Sequence, residues 1–181
     1  MPDASFDRLT SARLILRRFH PNDLDSFVAY RSDPNVARYQ SWENFTHAEG
    51  SQFIDQMAAL HPDMPGQWFQ IAIELKATGE MIGDCAVHTQ TDTPHEAEIG
   101  FTLAPKFQGH GYAAEAIERL LGYLFGARQK RRVLALTDTR NTQSIAVLER
   151  LGFQPDATRR DPIWFKNELC QEHLYILERE A

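Results

Sequence analysis

A mixed α/β (α+β) domain is the fold class predicted by three features of the sequence. Four extended runs, Arg13–Phe19, Trp68–Leu75, Met81–His88 and Glu96–Leu103, lie before the glycine turn. A strand, a short glycine-bearing turn and a helix start then follow one another over Glu98–Ala116. The helix after that turn places Ala113, Ile117, Leu120, Leu121, Leu124 and Phe125 at the i, i+3, i+4, i+7 spacing of one buried face. With 181 residues the chain suits one domain, 1–181, large enough for a sizeable core.

The elements read in order as follows. Arg13–Phe19 alternates Leu14 and Leu16 against Arg13, Ile15 and Arg17, as an opening strand with one wet face does. His20-Pro21-Asn22-Asp23 reads as a turn and helix cap, and Leu24, Phe27, Val28 and Tyr30 mark a helix that Asp33-Pro34-Asn35 breaks. Thr46 with Glu49 three residues on is a capping-box pattern for a helix bearing Phe53, Ile54, Met57 and Leu60, which His61–Gly66 ends. Trp68–Leu75 and Met81–His88 read as strands joined by the glycine-containing loop Lys76–Glu80. After a polar loop come a central strand at Glu96–Leu103, a helix at 111–126, a strand at 132–137 and a helix at 142–151 with Gly152 as its cap. The tail supplies strands around Trp164-Phe165 and at His173–Leu177. The basic run Arg128–Arg132 reads as a helix C-terminus, where the dipole favours cations, turning into a strand.

Composition narrows the function classes. No apolar run approaches the length of a membrane span, and the acidic Met1–Asp7 has no hydrophobic core of a signal peptide. Cys85 and Cys170 are far apart and form no C-x-x-C pair, so a reduced, cytoplasmic protein is expected. A net charge of −6 argues against general nucleic-acid binding and suits a cationic partner such as an amine. The seven histidines fall into no zinc-ligand grouping, so no metal is expected.

The segment that carries chemistry is Gln108-Gly109-His110-Gly111-Tyr112-Ala113, between the central strand and its helix. The first N–H groups of a helix lack internal partners, the macrodipole is positive there, and glycine lets a phosphate approach the main chain. Gly109, Gly111 and Ala114 satisfy the dinucleotide fingerprint G-x-G-x-x-G/A, and Asp138 follows the next strand. That fingerprint needs its first glycine at the strand end and a run of βαβ units afterwards. Here Pro105–Gln108 intervene and too little chain follows.

A second pattern extends over most of the sequence. Gln108-x-x-Gly111-x-Ala113 resembles the Q/R-x-x-G-x-G/A acyl-CoA loop of the GNAT N-acetyltransferases. Asn141–Phe153 is similar to the N-x-x-S-I-x-V-L-E-K-L-G-F segment of the branch typified by the ribosomal-protein N-terminal acetyltransferases, and Thr10–Arg17 to the T-x-R-L-x-L-R start of that branch. The resemblance implies a GNAT fold: a mostly antiparallel central sheet, splayed between its fourth and fifth strands and flanked by helices. It implies acetyl-CoA as co-substrate, gripped by Gln108, Gly109, His110, Gly111, Tyr112 and Ala113, with its pantetheine arm along Phe101, Thr102 and Leu103. Asn141 and Ser144 would complete that site. The acceptor would be a primary amine, on a protein N-terminus or a small molecule, and a homodimer is compatible with the pattern.

Acetyl transfer to an amine needs a base for the ammonium, a donor for the oxyanion and a hydrogen bond or proton for the departing thiolate. Glu98, ahead of the pantetheine-pairing segment, is the expected base, with Glu96, Asp92 and Asp84 as competitors. A main-chain N–H near Phe101 or Thr102 would serve the oxyanion. Many GNAT enzymes place a tyrosine seven residues after the asparagine; here that position is Leu148, which leaves Ser144, one turn after Asn141, to face the sulfur. His110 is expected to face solvent and Cys85 to be a buried thiol. Tyr39, Trp42, Phe45 and Trp68 are candidate acceptor contacts within a pocket drawn from Val36–Met64 and Thr158–Lys166. A non-catalytic acyl-CoA sensor on the same fold is the alternative.

Overall fold

Alternating burial along the extended segments builds one twisted sheet with a different core on each face. The computed structural model describes residues 6–158 and 161–179. Its strands are β1 (Arg8–Thr10), β2 (Leu14–Arg17), β3 (Trp68–Leu75), β4 (Glu80–Thr89), β5 (Glu96–Leu103), β6 (Arg132–Asp138), β7 (Gln154–Pro155), β8 (Ile163–Phe165), β9 (Glu168–Cys170) and β10 (Glu172–Glu178). The helices are α1 (Leu24–Arg31), α2 (Pro34–Ala37), α3 (His47–Ala58), α4 (Tyr112–Gly126) and α5 (Thr142–Arg150). The main sheet runs β1-β2-β3-β4-β5-β6-β10-β7, while β8 and β9 form a separate hairpin. Among the described strands of this sheet, β5 and β6 pair in parallel and every other neighbouring pair is antiparallel.

Local sequence explains most of these boundaries. Thr46 Oγ1 accepts from the Glu49 N–H at 3.3 Å and the Glu49 carboxylate accepts from the Thr46 N–H at 2.7 Å, the reciprocal cap that starts α3. Asp33, read from sequence as part of a break, instead caps the short α2, whose first residue is Pro34. The basic run follows the end of α4 and leads into β6, as read from sequence. The side chains of Arg128 and Lys130 are buried beside Asp63, and the Lys130 ammonium donates to the Pro94 carbonyl at 2.8 Å, pinning the turn after α4 to two loops. Burial, with the Arg128 charge adding to it, pulls the Lys130 ammonium down to about 8.

One face of the sheet packs Leu16, Phe69, Ile71, Val87, Ile99 and Val133 against Ile117, Leu120 and Leu124 of α4 and Leu148 of α5. The other carries a smaller aromatic core in which Phe27 and Tyr30 of α1 meet Ile54 of α3, Val36, Ala72 and Met81. A buried ion pair joins the helices of this second face to the sheet. Arg31 Nη2 lies 3.0 Å from Asp84 Oδ2, and the Tyr30 hydroxyl donates to Asp84 Oδ1 at 2.7 Å. The first core seats α4 and α5 against β5 and β6, where the sheet opens, and the second packs α1 and α3 on β3 and β4.

Candidate active site

The opening lies between the fifth and sixth strands in chain order and not the fourth and fifth, because the short β1 precedes the strand read as the first, and it is a consequence of register. β5 and β6 pair at Glu96–Arg132, Ala97–Val133 and Glu98–Leu134, and their ladder stops there. On its other side β5 stays fully paired to β4. The Ala104 N–H donates to Ile82 O at 2.9 Å, so alternation turns the main-chain groups of Thr102, Gly100 and Glu98 toward β4. Those of Ile99, Phe101 and Leu103 face the parted side. Phe101 and Leu103 therefore present an open strand edge, whereas the main chain of Thr102 is turned to the sheet. Gln108 Nε2 donates to Leu103 O at 3.0 Å, tying the glycine loop to the end of this edge.

A cleft of about 270 Å³ occupies the gap. Glu98–Phe101 of β5 form one wall and Ala135–Asp138 of β6 the other, with Asn141, Ser144 and Leu148 of α5 reaching in beyond β6. Asn141 Oδ1 accepts from the Ser144 N–H at 3.2 Å, so Asn141 caps α5 and holds Ser144 at the cleft. Glu98 lies in a row across three strands, opposite His88 of β4, which in turn opposes Trp68 of β3. The Trp68 and His88 rings are 5.1 Å apart.

The competing carboxylates are otherwise engaged or elsewhere. Asp84 is buried against Arg31 and Tyr30; Glu96 accepts from Arg132 at 3.2 Å; Asp92 lies outside the cleft, in the loop before β5. The cleft also contains carboxylates that sequence reasoning missed. Asp138 is held by Arg140, whose guanidinium keeps its carboxyl below the ordinary range, and Glu172 opposes Asp138 on β10.

The far end of the cleft is closed by two segments distant in sequence. Tyr39, Gln40 and Ser41 come from the loop after α2; Ile163, Phe165 and Cys170 come from the β8–β9 hairpin. The hairpin turns at Lys166 and Asn167, both with positive φ (49° and 62°), as a two-residue type I′ connection requires. Lys166 Nζ donates to Ala37 O at 2.6 Å and Trp42 O at 2.7 Å, fastening hairpin to loop. Tyr39 and Trp68 thus line the cleft. Trp42 and Phe45 do not: Trp42 lies with its ring 3.7 Å from the Arg31 guanidinium carbon, and Phe45 packs on Phe27. Residues 159 and 160 of the expected acceptor region lie outside the described residues.

Beyond Leu103, a single helical turn at Pro105–Phe107 leads into the loop at Gln108–Ala113. Gly109 and Gly111 have φ of 78° and 80°, left-handed values that cost a non-glycine residue roughly 1–2 kcal/mol. Gly111 is the N-cap of α4 and no side chain caps that end. A Cβ at Gly109 would meet nothing within 4 Å, so the approach to the loop is open. His110 is exposed and its ring stacks on Tyr112, and Cys85 is fully buried, its thiol pushed up by burial.

The loop gives a first prediction. Gly111→Val is expected to abolish coenzyme A binding in calorimetric titration, because the branched side chain fills the anion's approach and strains the cap. Gly79→Val is the control: Gly79 has a φ of 69° with open space around it, in the β3–β4 hairpin, so the same strain should leave binding intact. Unchanged affinity in Gly111→Val would reject the loop as an anion site.

Comparisons with known proteins agree with this architecture. The family described as acetyltransferase (GNAT) domain matches residues 13–154. The uncharacterized N-acetyltransferase p20 of Bacillus licheniformis is 32% identical over 176 residues, spanning 96% of this chain and 98% of that protein. The crystal structure of a GNAT-family acetyltransferase from Bacillus anthracis superposes with a TM-score of 0.84 at 25% identity, covering 94% of this chain and 98% of that one. A ribosomal L7/L12 alpha-N-protein acetyltransferase solved with coenzyme A shares the fold, with a TM-score of 0.82 at 18% identity over 95% of this chain and 98% of that chain. With a glycine loop ahead of α4, a sheet that parts after Glu98 and this family match across most of its length, the chain belongs to the GNAT acetyltransferases and is an enzyme.

Proposed function

We propose that this enzyme transfers the acetyl group of acetyl-CoA to a primary amine by direct attack within a ternary complex. The observation that carries the reading is the parting of β5 and β6 after Glu98. It joins an open strand edge, a cleft and an uncapped helix N-terminus along one continuous path.

The residues along this path fit the chemical parts of acetyl-CoA. The diphosphate matches the main-chain N–H groups at the start of α4, where the dipole adds to the hydrogen bonds. The pantetheine amides match the N–H and C=O of Phe101 and the N–H of Leu103, whose carbonyl is taken by Gln108, an addition of a ligand strand to a sheet edge. Asn141 adds a side-chain amide able to donate and accept.

In the cleft, Glu98 accepts a proton from the ammonium of the acceptor, directly or through one water. The Phe101 N–H, directed into the parted edge, supplies the donor for the carbonyl oxygen. Ser144 donates a hydrogen bond toward the sulfur; a serine hydroxyl is too weak an acid to be its full proton source. Tyr39, Trp68 and Phe165 give the acceptor aromatic walls, while Glu98, Asp138 and Glu172 make the cleft electronegative. Both features suit an ammonium. Coenzyme A in the structurally similar L7/L12 enzyme, and that enzyme's acetylation of a protein α-amine, support the same cofactor and a protein N-terminus as acceptor.

Incubation with acetyl-CoA and a panel of amines, following free thiol release, tests the proposal. Turnover on peptide N-termini or on small amines is expected, with no turnover when the amine is omitted. Coenzyme A binding without turnover on any amine would favour an acyl-CoA sensor instead.

A further inference from the structure

The turn between β1 and β2 lies about a hundred residues from the glycine loop in sequence, yet it is built against it. The Arg13 N–H donates to Glu115 Oε1 at 2.7 Å, Arg13 Nε donates to Glu115 Oε2 at 2.6 Å, and the Ser11 hydroxyl donates to Glu115 Oε1 at 2.7 Å. Arg13 Nη1 donates to the His110 carbonyl at 3.1 Å. The guanidinium carbon stands 4.5 Å from the centroid of the Tyr112 ring. Nη2, on the remaining side of the fork, lies 3.5 Å from where a Cβ on Gly111 would stand. One arginine thus contacts His110 and Tyr112 of the loop, stands beside Gly111 and grips Glu115 in the first turn of α4.

The electrostatics give this contact a purpose. Glu115 is in the first turn of α4, where a carboxylate competes with any bound anion for the positive end of the helix. Although burial opposes its ionisation, hydrogen bonds from Arg13 and Ser11 hold its carboxyl below the ordinary range, so it is an anion at neutral pH. Without compensation it would repel a diphosphate one turn away. The His110 carbonyl oxygen is a second repulsive group, and Arg13 engages that as well.

We propose that Arg13 is a positioning residue for acetyl-CoA: it cancels the Glu115 charge at the mouth of α4, holds the His110 carbonyl and adds Nη2 to the donors facing the phosphates. This rests on the acetyl-CoA reading above. Its signature is a loss confined to the nucleotide and dependent on Glu115, which a general loosening of the loop would not produce.

Arg13→Ala and the double variant Arg13→Ala/Glu115→Gln, titrated calorimetrically with coenzyme A, test it. Arg13→Ala should weaken coenzyme A about 10- to 50-fold and reduce the salt dependence of the affinity, because one cation near the phosphates is gone. The KM for the amine and kcat at saturating acetyl-CoA should be unchanged. Removing the Glu115 charge as well should restore at least threefold of the lost affinity. Arg13→Lys should retain charge cancellation but bind more weakly than wild type, since an ammonium cannot engage the fork of partners. Affinity of Arg13→Ala within twofold of wild type overturns the proposal, and so does a double variant no tighter than Arg13→Ala. Failure of the wild-type protein to bind coenzyme A would instead overturn the acetyl-CoA reading, leaving the two outcomes distinct.

Discussion

Glu98→Gln is expected to lower kcat by about 10²–10⁴-fold, the contribution of a general base, while acetyl-CoA affinity stays within about twofold. The substitution preserves shape and removes only the ability to take a proton, so the bound geometry of the nucleotide should survive. The pH dependence makes the assignment specific. Below the acceptor's own pKa the amine is an ammonium and needs the base; as pH rises toward that pKa a growing fraction attacks unaided. The deficit of the variant should therefore be largest at low pH and narrow as pH rises. A protein α-amine, whose pKa is about 7.7–8.0, would narrow it at lower pH than an alkyl amine would. Wild-type turnover in Glu98→Gln, or a deficit independent of pH, would dismiss Glu98. Attention would then move to Glu172, which shares the cleft.

What could be read from the sequence follows the range of the forces involved. The bounds of β3 and β5, the cap of α3 by Thr46 and the glycine turn before α4 depend on neighbours a few residues apart, and the structure matches them. Glu98, Asn141 and Ser144 are pointed to by the family resemblance instead, and all three line the cleft. Trp42 shows the opposite case. A tryptophan has the same composition signal whether it lines a pocket or covers a buried charge, and only the fold brings it over Arg31. The expected acceptor region Thr158–Lys166 includes Ile163 and Phe165, which line the cleft; Cys170 lies beyond that range, and the seat of the hairpin depends on Lys166 reaching carbonyls more than a hundred residues earlier. Arg13 reads from sequence as a strand residue and Asp84 as a spare carboxylate; the structure sets Arg13 in the turn before β2, against Glu115, and pairs Asp84 with Arg31.

Asp84→Ala is expected to destabilise the protein by about 3–5 kcal/mol, a fall in melting temperature of roughly 6–20 °C. Asp84 and Arg31 are 2% and 3% exposed, so removing the carboxylate leaves a guanidinium with no water to replace it. The aromatic rings around Arg31, with Trp42 at 3.7 Å and Phe27 at 4.4 Å, offset only part of that cost. The Tyr30 hydroxyl loses its acceptor too; burial, with the Asp84 charge adding, already holds that phenol well above its ordinary range, so it cannot ionise in compensation. Removing both charges should be milder than removing one, because an apolar pair of similar volume needs no solvation. Arg31→Met/Asp84→Ala should regain part of the lost stability in urea unfolding, the remainder reflecting the unpaired Tyr30 hydroxyl. A single variant within about 1 kcal/mol of wild type, or a double variant less stable than the single, would contradict a buried, coupled pair. The effect should reach the cleft by a defined route. The Trp42 indole donates to Arg31 O at 3.1 Å, and Lys166 holds the Trp42 carbonyl, so the α1 end, the Tyr39–Ser41 loop and the hairpin form one wall. Loosening Arg31 should raise the KM for the amine while leaving acetyl-CoA affinity, set on the far side of β5, as it was.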